Sequence, residues 1–432
     1  MRGIGRHRRL RGPAAIGLAA MVAIAVGGSL AATQANAAPA GGGGLSITKQ
    51  YFGSTVEPYT GKETAVYRYT LSNGNGMSVK ILTYGGDLQE INLPGRNGQE
   101  ADIILGFKTL NDYVTEDSPP VTANGGPYFG ELIGRYGNRI AKGTFTLNQP
   151  GVGPVTYHVP INNNGNSLHG GLVGFGNHIW SAQEVFGAGS VGLQLTLVSP
   201  NGDQGYPATI KDVTTFTLNN ADQLGIHYKV TNESSNLNTV INVTDHAYFN
   251  LAGENSAAGS AYNQLLQINA NKYTPTDSTQ IPLGYNVSVF GTPFNFTTPE
   301  PIGSRISDVS APDNAPGNQL LIAQGYDHNW VLNAQTAATT GPDGLNLAAR
   351  AWDPNSGREL QVWTDQPGVQ VYTSNFLTGT LVGISGDTYR QGAGYTFETQ
   401  HFPNSPNQPN FPSTELAAGK TFTSTTIFAF SS

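Results

Sequence analysis

The chain has 432 residues, no cysteine and only 12% charged residues, with 29 acidic side chains against 22 basic ones. Without cysteine it is neither a disulfide-stapled scaffold nor a lipid-anchored lipoprotein, and its acidity argues against binding to nucleic acid or anionic lipid. Its 55 glycines and its abundant asparagine, threonine and serine favour turns and pleated strands over long helices. The composition therefore predicts an all-β protein.

The N-terminus has the pattern of an export signal. Five arginines precede an apolar stretch over residues 14–32, and a small-residue cleavage site of the form Ala-Asn-Ala ends at Ala37. We therefore expect residues 1–37 to be a signal peptide, cleaved after this site, so that the mature protein is secreted and not held in a membrane. An uncleaved anchor is the alternative, because the apolar stretch approaches the roughly 20 residues that span a bilayer. The pair Arg8 and Arg9 leaves the general and the twin-arginine export routes both open.

The rest of the chain is typical of one β domain. Residues 38–47, rich in glycine and alanine, predict a flexible linker, and no change of composition divides residues 48–432. Short alternating runs of apolar and polar residues follow one another without the rhythm of alternating strands and helices. The clearest runs are 64–71, 78–84, 191–198, 209–218, 224–230 and 421–430. This spacing predicts a β-sandwich in which the last run completes a sheet.

Removal of the predicted signal peptide makes the protein more acidic. It takes away five arginines and no acidic residue, which leaves 17 basic residues against 29 acidic ones, a net charge of −12. Such a charge argues against a strongly anionic substrate such as a sugar phosphate, unless a local basic pocket overrides it.

Five segments, in chain order, carry residues suited to binding or catalysis. The first, residues 134–145, reads GRYGNRIAKGTF and places Asn138 beside Arg139, two side chains that hold hydroxyl groups through several hydrogen bonds. The second, residues 166–171, reads NSLHGG, and its glycine pair lets backbone or ligand approach His169 closely.

The third and fourth segments supply a histidine and a carboxylate. Residues 242–253 read NVTDHAYFNLAG and place His246 at the end of a strand-like run. Imidazole gives and takes a proton near neutrality, so this histidine suits general acid/base catalysis. Residues 325–330 read GYDHNW and offer Asp327 as an acceptor for a diol.

The fifth segment has two parts. Residues 367–375 read PGVQVYTSN and supply Gln370, and residues 394–403 read GYTFETQHFP and supply Glu398 among apolar and uncharged neighbours. A carboxylate and the histidine at position 246, each in a neutral segment, form a candidate acid/base pair.

Taken singly, these residues also have ordinary structural interpretations. Arg139 suits the bracing of a loop, and Asp327 suits a turn. His169 suits a loop position where its ring nitrogens are hydrogen-bonded, and His246 suits a core position where the ring is hydrogen-bonded to the backbone. The functional interpretation therefore depends on all five segments together.

The sequence carries no signal for a metal or a nucleotide cofactor. His169, His246, His328 and His401 are scattered along the chain, and there is no cysteine ligand. No Gly-x-Gly-x-x-Gly follows a strand and opens a helix, and no Gly-x-Ser-x-Gly elbow of an esterase is present. We therefore expect an activity that needs neither metal nor cofactor.

In this order, the five segments resemble the signature motifs of the aldose 1-epimerase (galactose mutarotase) family, over roughly residues 48–430. The resemblance implies a β-supersandwich, the galactose mutarotase-like fold. It also implies a cofactor-free isomerase that interconverts the α and β anomers of free aldohexoses such as glucose and galactose. Glu398 matches the family's general base and His246 its general acid. The matches to its sugar-holding residues are Asn138, Arg139, His169, Asp327 and Gln370.

One departure and two alternatives remain. Asp245 stands where the family usually has asparagine, and an extra carboxylate there would raise the pKa of His246 or alter a hydrogen bond. A non-catalytic secreted sugar-binding protein on the same fold is one alternative, although a pure binder needs no acid/base pair. A glycoside hydrolase or lyase is the other, but a hydrolase usually shows two carboxylates flanking the bond, and only Glu398 lies in a clear motif.

Overall fold

The computed structural model describes residues 44–117, 126–257 and 259–432. The predicted signal peptide and residues 38–43 of the predicted linker lie outside these ranges, and the first strand begins at Ser46, inside the last part of that linker. The described chain consists mainly of short antiparallel strands in three large sheets and several two-stranded pairs. Within these ranges, no helix combines the length and the hydropathy needed to cross a membrane.

The three large sheets contain most of the strands. The five-stranded sheet holds, in spatial order, β1 (Ser46–Glu57), β2 (Lys62–Ser72), β3 (Ser78–Leu82), β4 (Leu88–Pro94) and β5 (Glu100–Asp102). The nine-stranded sheet holds β11 (Ser181–Gly187), β12 (Ser190–Ser199), β13 (Ile210–Asn219), β14 (Gln223–Asn232), β30 (Thr421–Ser431), β24 (Glu359–Thr364), β23 (Asn346–Trp352), β18 (Leu265–Ile268) and β21 (Glu300–Pro301). The six-stranded sheet holds β17 (Tyr248–Phe249), β28 (Tyr395–Gln400), β25 (Gly368–Tyr372), β22 (Asp327–Leu332), β19 (Ala270–Thr274) and β20 (Val287–Ser288).

Shorter elements connect these sheets. The two-stranded pairs are β6 (Leu132–Ile133) with β16 (Thr244–Asp245), β7 (Arg139–Ile140) with β10 (Ser167–Leu168), β8 (Thr144–Gln149) with β9 (Gly153–His158), β15 (Thr239–Val240) with β29 (Glu415–Leu416), and β26 (Thr378–Val382) with β27 (Thr388–Arg390). The helices among the described residues are short: α1 spans Leu110–Asp112 and continues into a π-helical segment over Tyr113–Asp117, and α2 spans Gln319–Ala323. The fold is all-β, as the composition predicts.

The alternating sequence pattern explains the centre of the nine-stranded sheet. The predicted run 209–218 forms β13, where every second side chain from Ile210 onward is buried. The predicted runs 224–230 and 421–430 form β14 and β30. β14 pairs with β13 on one side and with β30 on the other. The last strand therefore completes a sheet, as expected, and one hydrophobic cluster joins the inner faces of all three large sheets.

The middle of the six-stranded sheet places polar residues opposite this core. β25 and β28 are buried on both faces, and the side chains of Val369, Val371 and Phe397 belong to the core. Because side chains alternate along a strand, Gln370 and Glu398 point to the other face. These two residues are directly paired across the strands, so the register brings both to the same spot.

Candidate active site

The backbone around His246 is fixed by the β6–β16 pair. The peptide N–H of His246 donates to the carbonyl of Glu131 at 3.0 Å, and the N–H of Gly130 donates to the carbonyl of His246 at 3.2 Å. The side chain is 4% exposed, and its buried Nδ1 has no hydrogen-bond partner among the described residues. The hydrogen-bonded backbone therefore holds the ring in a buried position beside the sheet.

Glu398 faces this histidine across a cavity. Its Oε1 lies 3.5 Å from Nε2 of His246 and accepts a hydrogen bond from the hydroxyl of Thr396 at 3.2 Å. Within the described part of the chain, its Oε2 has no hydrogen-bond partner. Burial, followed by the nearby charge of Asp327, raises the pKa of Glu398 well above its usual range, and burial lowers the pKa of His246 to about 3. Both shifts favour neutral groups, so a proton shared by this pair rests on Glu398 when the cavity is empty.

Of the two effects expected of Asp245, a raised pKa of His246 is not found, because burial lowers the pKa of that histidine. The carboxyl of Asp245 is itself buried, which raises its pKa well above the usual range. Its Oδ1 accepts a hydrogen bond from the N–H of Ala247 at 2.9 Å. Burial is the largest influence on the pKa of His246, and it lowers that pKa because it disfavours the charged ring.

His169 completes a cluster of three proton-carrying side chains. Its ring centroid lies 5.1 Å from that of His246, and its Nδ1 accepts a hydrogen bond from the N–H of Asn138 at 3.2 Å. Burial lowers the pKa of His169 well below its usual value, so the ring is neutral and carries its proton on Nε2, as a donor. The predicted close approach at the adjacent glycines is confirmed, because a Cβ on Gly170 would lie 2.0 Å from the carbonyl oxygen of Gly134.

The two arginines of the first motif have different positions. Arg135 is buried, and its guanidinium donates to the carbonyl oxygens of Pro207 and Ala208 at 2.8 and 2.9 Å, which makes it structural. Arg139 reaches the cavity, where its Nη1 lies 3.9 Å from Oδ2 of Asp327.

Two amides hold the carboxylate of Asp327. Gln370 donates to Oδ1 at 2.6 Å, and Gln280 donates to Oδ2 at 2.6 Å. Six of the seven residues predicted from the sequence line one cavity of about 660 Å³: Asn138, Arg139, His169, His246, Asp327 and Glu398. Gln370 is the exception, because it lies behind Asp327 and does not line that cavity. Gln280 lines it and was not predicted, since no motif surrounds it.

The walls of the cavity combine aromatic rings with strained backbone. Tyr128 packs against the rings of both His169 and His246, at centroid distances of 4.7 and 5.8 Å. Six residues with side chains have a left-handed backbone and line this cavity: Tyr128, Asn138, Asn164, His169, Gln280 and Gln324. Such conformations cost roughly 1–3 kcal/mol each and concentrate at functional sites.

Three side chains of the cavity have the composition of a metal site. One donor atom each from His169, His246 and Glu398 lie within 4.8 Å of one another. Two ligands of one zinc ion stand at most about 4.2 Å apart, because the bonds to zinc are about 2.1 Å long. His169 and His246, far apart in the sequence, thus lie close together in the fold. That the activity needs no metal stays a prediction.

Comparison with known proteins identifies the chain. The sequence model of the aldose 1-epimerase family matches residues 67–429. The chain belongs to the aldose 1-epimerase family. It is 36% identical to rat galactose mutarotase over 90% of the chain and 99% of that protein. It is 30% identical to the aldose 1-epimerase of Escherichia coli K12 over 84% of the chain and 94% of that protein.

Solved structures of aldose 1-epimerase relatives share the fold. A galactose 1-epimerase from Lactobacillus acidophilus superposes with a TM-score of 0.69 at 26% identity, over 90% of the chain and 99% of that protein. An aldose epimerase homologue from Caenorhabditis elegans superposes with a TM-score of 0.67 at 26% identity, over 83% and 97%. The predicted family and sandwich fold are thereby confirmed, and this aldose 1-epimerase is an isomerase.

Proposed function

We propose that this aldose 1-epimerase interconverts the α and β anomers of free aldohexoses such as glucose and galactose, with Glu398 and His246 as its acid/base pair. The single observation that carries the proposal is the 3.5 Å approach of these two side chains inside a cavity of about 660 Å³. Ring opening of a hemiacetal takes one proton from the C1 hydroxyl and gives one to the ring oxygen. Glu398 can take the proton of the C1 hydroxyl while His246 gives one to the ring oxygen, so the pair supplies both steps.

Proton counting connects the geometry with the reaction. When sugar binds, the shared proton first moves from Glu398 to His246. In the forward direction the Glu398 carboxylate then takes the proton of the C1 hydroxyl while the His246 imidazolium protonates the ring oxygen. The open aldehyde then has a protonated Glu398 and a neutral His246 beside it. Rotation about the C1–C2 bond and the reverse transfers give the other anomer and restore the starting state. The pair carries one proton throughout, and burial, which favours neutral side chains, stabilises the state reached when the ring is open.

The remaining cavity residues suit the neutral hydroxyls of a sugar. His169 offers a donor at Nε2, Arg139 offers guanidinium donors, and Asp327 offers carboxylate acceptors. Asn138 adds an amide whose backbone conformation is left-handed, with φ of +61°. Gln370 acts through Asp327, because its amide donates to that carboxylate at 2.6 Å.

We also propose that the protein is exported. The support is the arrangement of basic, apolar and small residues that ends at Ala37. N-terminal sequencing of the protein from the medium of a secreting host should find Ala38 first. An uncleaved N-terminus in the membrane fraction would favour the anchor instead.

Polarimetry tests the proposed reaction. The mature protein should speed the decay of optical rotation of freshly dissolved α-D-glucose or α-D-galactose to the same end point as the spontaneous reaction. Methyl α-D-galactoside is the matched control, because it has no free anomeric hydroxyl and should show no change. Sugar binding without acceleration would favour the non-catalytic binding protein, and a change with the methyl glycoside would favour a hydrolase.

A further inference from the structure

Gln280 joins the two charged residues of the cavity. Its side-chain oxygen accepts a hydrogen bond from Nη2 of Arg139 at 2.7 Å, and its amide nitrogen donates to Oδ2 of Asp327 at 2.6 Å. Arg139 and Asp327 themselves approach only to 3.9 Å, which is too long for a hydrogen bond. The amide therefore bridges the two partners of a long ion pair.

This arrangement leaves hydrogen-bonding capacity free for a ligand. Arg139 has five donors, of which its contacts with Asn163 and Gln280 use two. Each oxygen of Asp327 accepts one amide N–H and keeps a second lone pair. A direct bidentate ion pair would instead occupy two donors of the guanidinium and both carboxylate oxygens.

The backbone holds Gln280 in a conformation that does not suit its residue type. Its φ is +63°, and its N–H donates to the carbonyl of Asp277 at 2.9 Å. Oδ1 of Asp277 accepts the N–H groups of Thr279 and Ile281 at 2.8 and 3.1 Å, which fixes the turn. A left-handed backbone is unfavourable for a residue with a side chain, and glycine avoids that cost. The side chain at 280 is thus present despite a backbone that favours glycine.

We propose that Gln280 is a positioning residue of the sugar site: its amide keeps Arg139 and Asp327 apart so that both can bind sugar hydroxyls remote from C1. This inference rests on the proposed function. Asp327 and Glu398 lie on strands separated by one intervening strand, so their backbones are about 10 Å apart at a spacing of about 4.8 Å per strand. Among the described residues, Gln280 hydrogen-bonds to Arg139 and Asp327 and not to Glu398 or His246, so its direct effect falls on the groups that hold the sugar.

The test is a pair of variants, Gln280→Leu and Gln280→Gly. Leucine keeps the bulk of the side chain without its polar atoms, and glycine removes the left-handed cost so that folding is not at risk. Each should raise KM for galactose by roughly 10- to 100-fold, the size expected for lost hydrogen bonds to charged groups, with kcat within about threefold of wild type. A crystal structure of Gln280→Gly, which removes the side chain between them, should show Arg139 and Asp327 within about 3.2 Å.

Gln267→Leu is the control, because Gln267 is a half-buried glutamine of β18 that lies outside the cavity lining and whose amide donates to the carbonyl of Thr297. It should leave KM and kcat unchanged. If wild type fails to accelerate mutarotation, the proposed function fails, whatever residue 280 does. If wild type is active and both variants keep its KM, or lose kcat at unchanged KM, the positioning role is overturned.

Discussion

Asp212 provides a test of how burial sets charge in this protein. It lies on an inward-facing position of β13, where the alternating pattern has apolar residues, and it is 1% exposed. Its Oδ1 accepts a hydrogen bond from the hydroxyl of Thr214 at 2.8 Å. Burial raises the pKa of Asp212 from 3.8 to about 7. Asp212→Asn retains the acceptor oxygen and removes the ionisable group.

The size of the effect follows from linkage. Below pH 3.8 the carboxyl is protonated in both the folded and the unfolded chain, so it contributes no pH dependence. Between pH 3.8 and 7 the folded chain holds a proton that the unfolded chain has lost, and the free energy of unfolding falls as pH rises. A shift of about three pKa units corresponds to about 4 kcal/mol of lost stability by pH 8. Asp212→Asn has no ionisable group at this position, so its free energy of unfolding does not fall for this reason.

Urea denaturation followed by tryptophan fluorescence measures the difference directly. From pH 4 to pH 8, the free energy of unfolding of Asp212→Asn relative to wild type should increase by about 4 kcal/mol. Asp387→Asn, at an exposed aspartate of the hairpin turn, is the control and should show a difference that does not change with pH. A pH-independent difference for Asp212→Asn as well would refute the reasoning.

Three further predictions concern catalysis. His246→Ala should lower kcat by about 10²–10⁴-fold with folding intact by circular dichroism, because it removes one proton carrier; near-wild-type turnover would contradict its role. Treatment with EDTA should leave kcat unchanged, whereas inhibition reversed by zinc would identify His169, His246 and Glu398 as metal ligands. Because burial lowers the pKa of His246 to about 3, a second proton binds the pair only in acid, and kcat/KM should stay constant down to about pH 5. An acid limb near pH 6.5 would show that the ring titrates as an exposed histidine.

The sequence predicts the strands better than the walls of the cavity. Residues 209–218 and 421–430 alternate clearly because one face of each strand packs on the core and the other does not. The strands that carry Gln370 and Glu398 are buried on both faces, so alternation is weak there, and the family motifs were needed to find them.

The first and fifth motifs show the limit more sharply. Arg135 and Arg139 stand four residues apart in one motif, yet one binds backbone carbonyls and the other reaches the cavity. Gln370 matches a sugar-holding position but lies behind Asp327. Gln280 enters the site only because a turn about 50 residues earlier folds back onto Asp327. Such contacts depend on tertiary approach, which neither composition nor spacing encodes.

The central claim is that Glu398 and His246 together open and close the sugar ring. The most direct test is the mutarotation rate of α-D-galactose with Glu398→Gln beside wild type, at matched concentration and with sugar binding measured on both. Glutamine keeps the size of the side chain but cannot take the proton of the C1 hydroxyl, so we predict intact binding and a kcat lower by at least about 100-fold. A Glu398→Gln protein that turns over galactose at the wild-type rate would contradict the account.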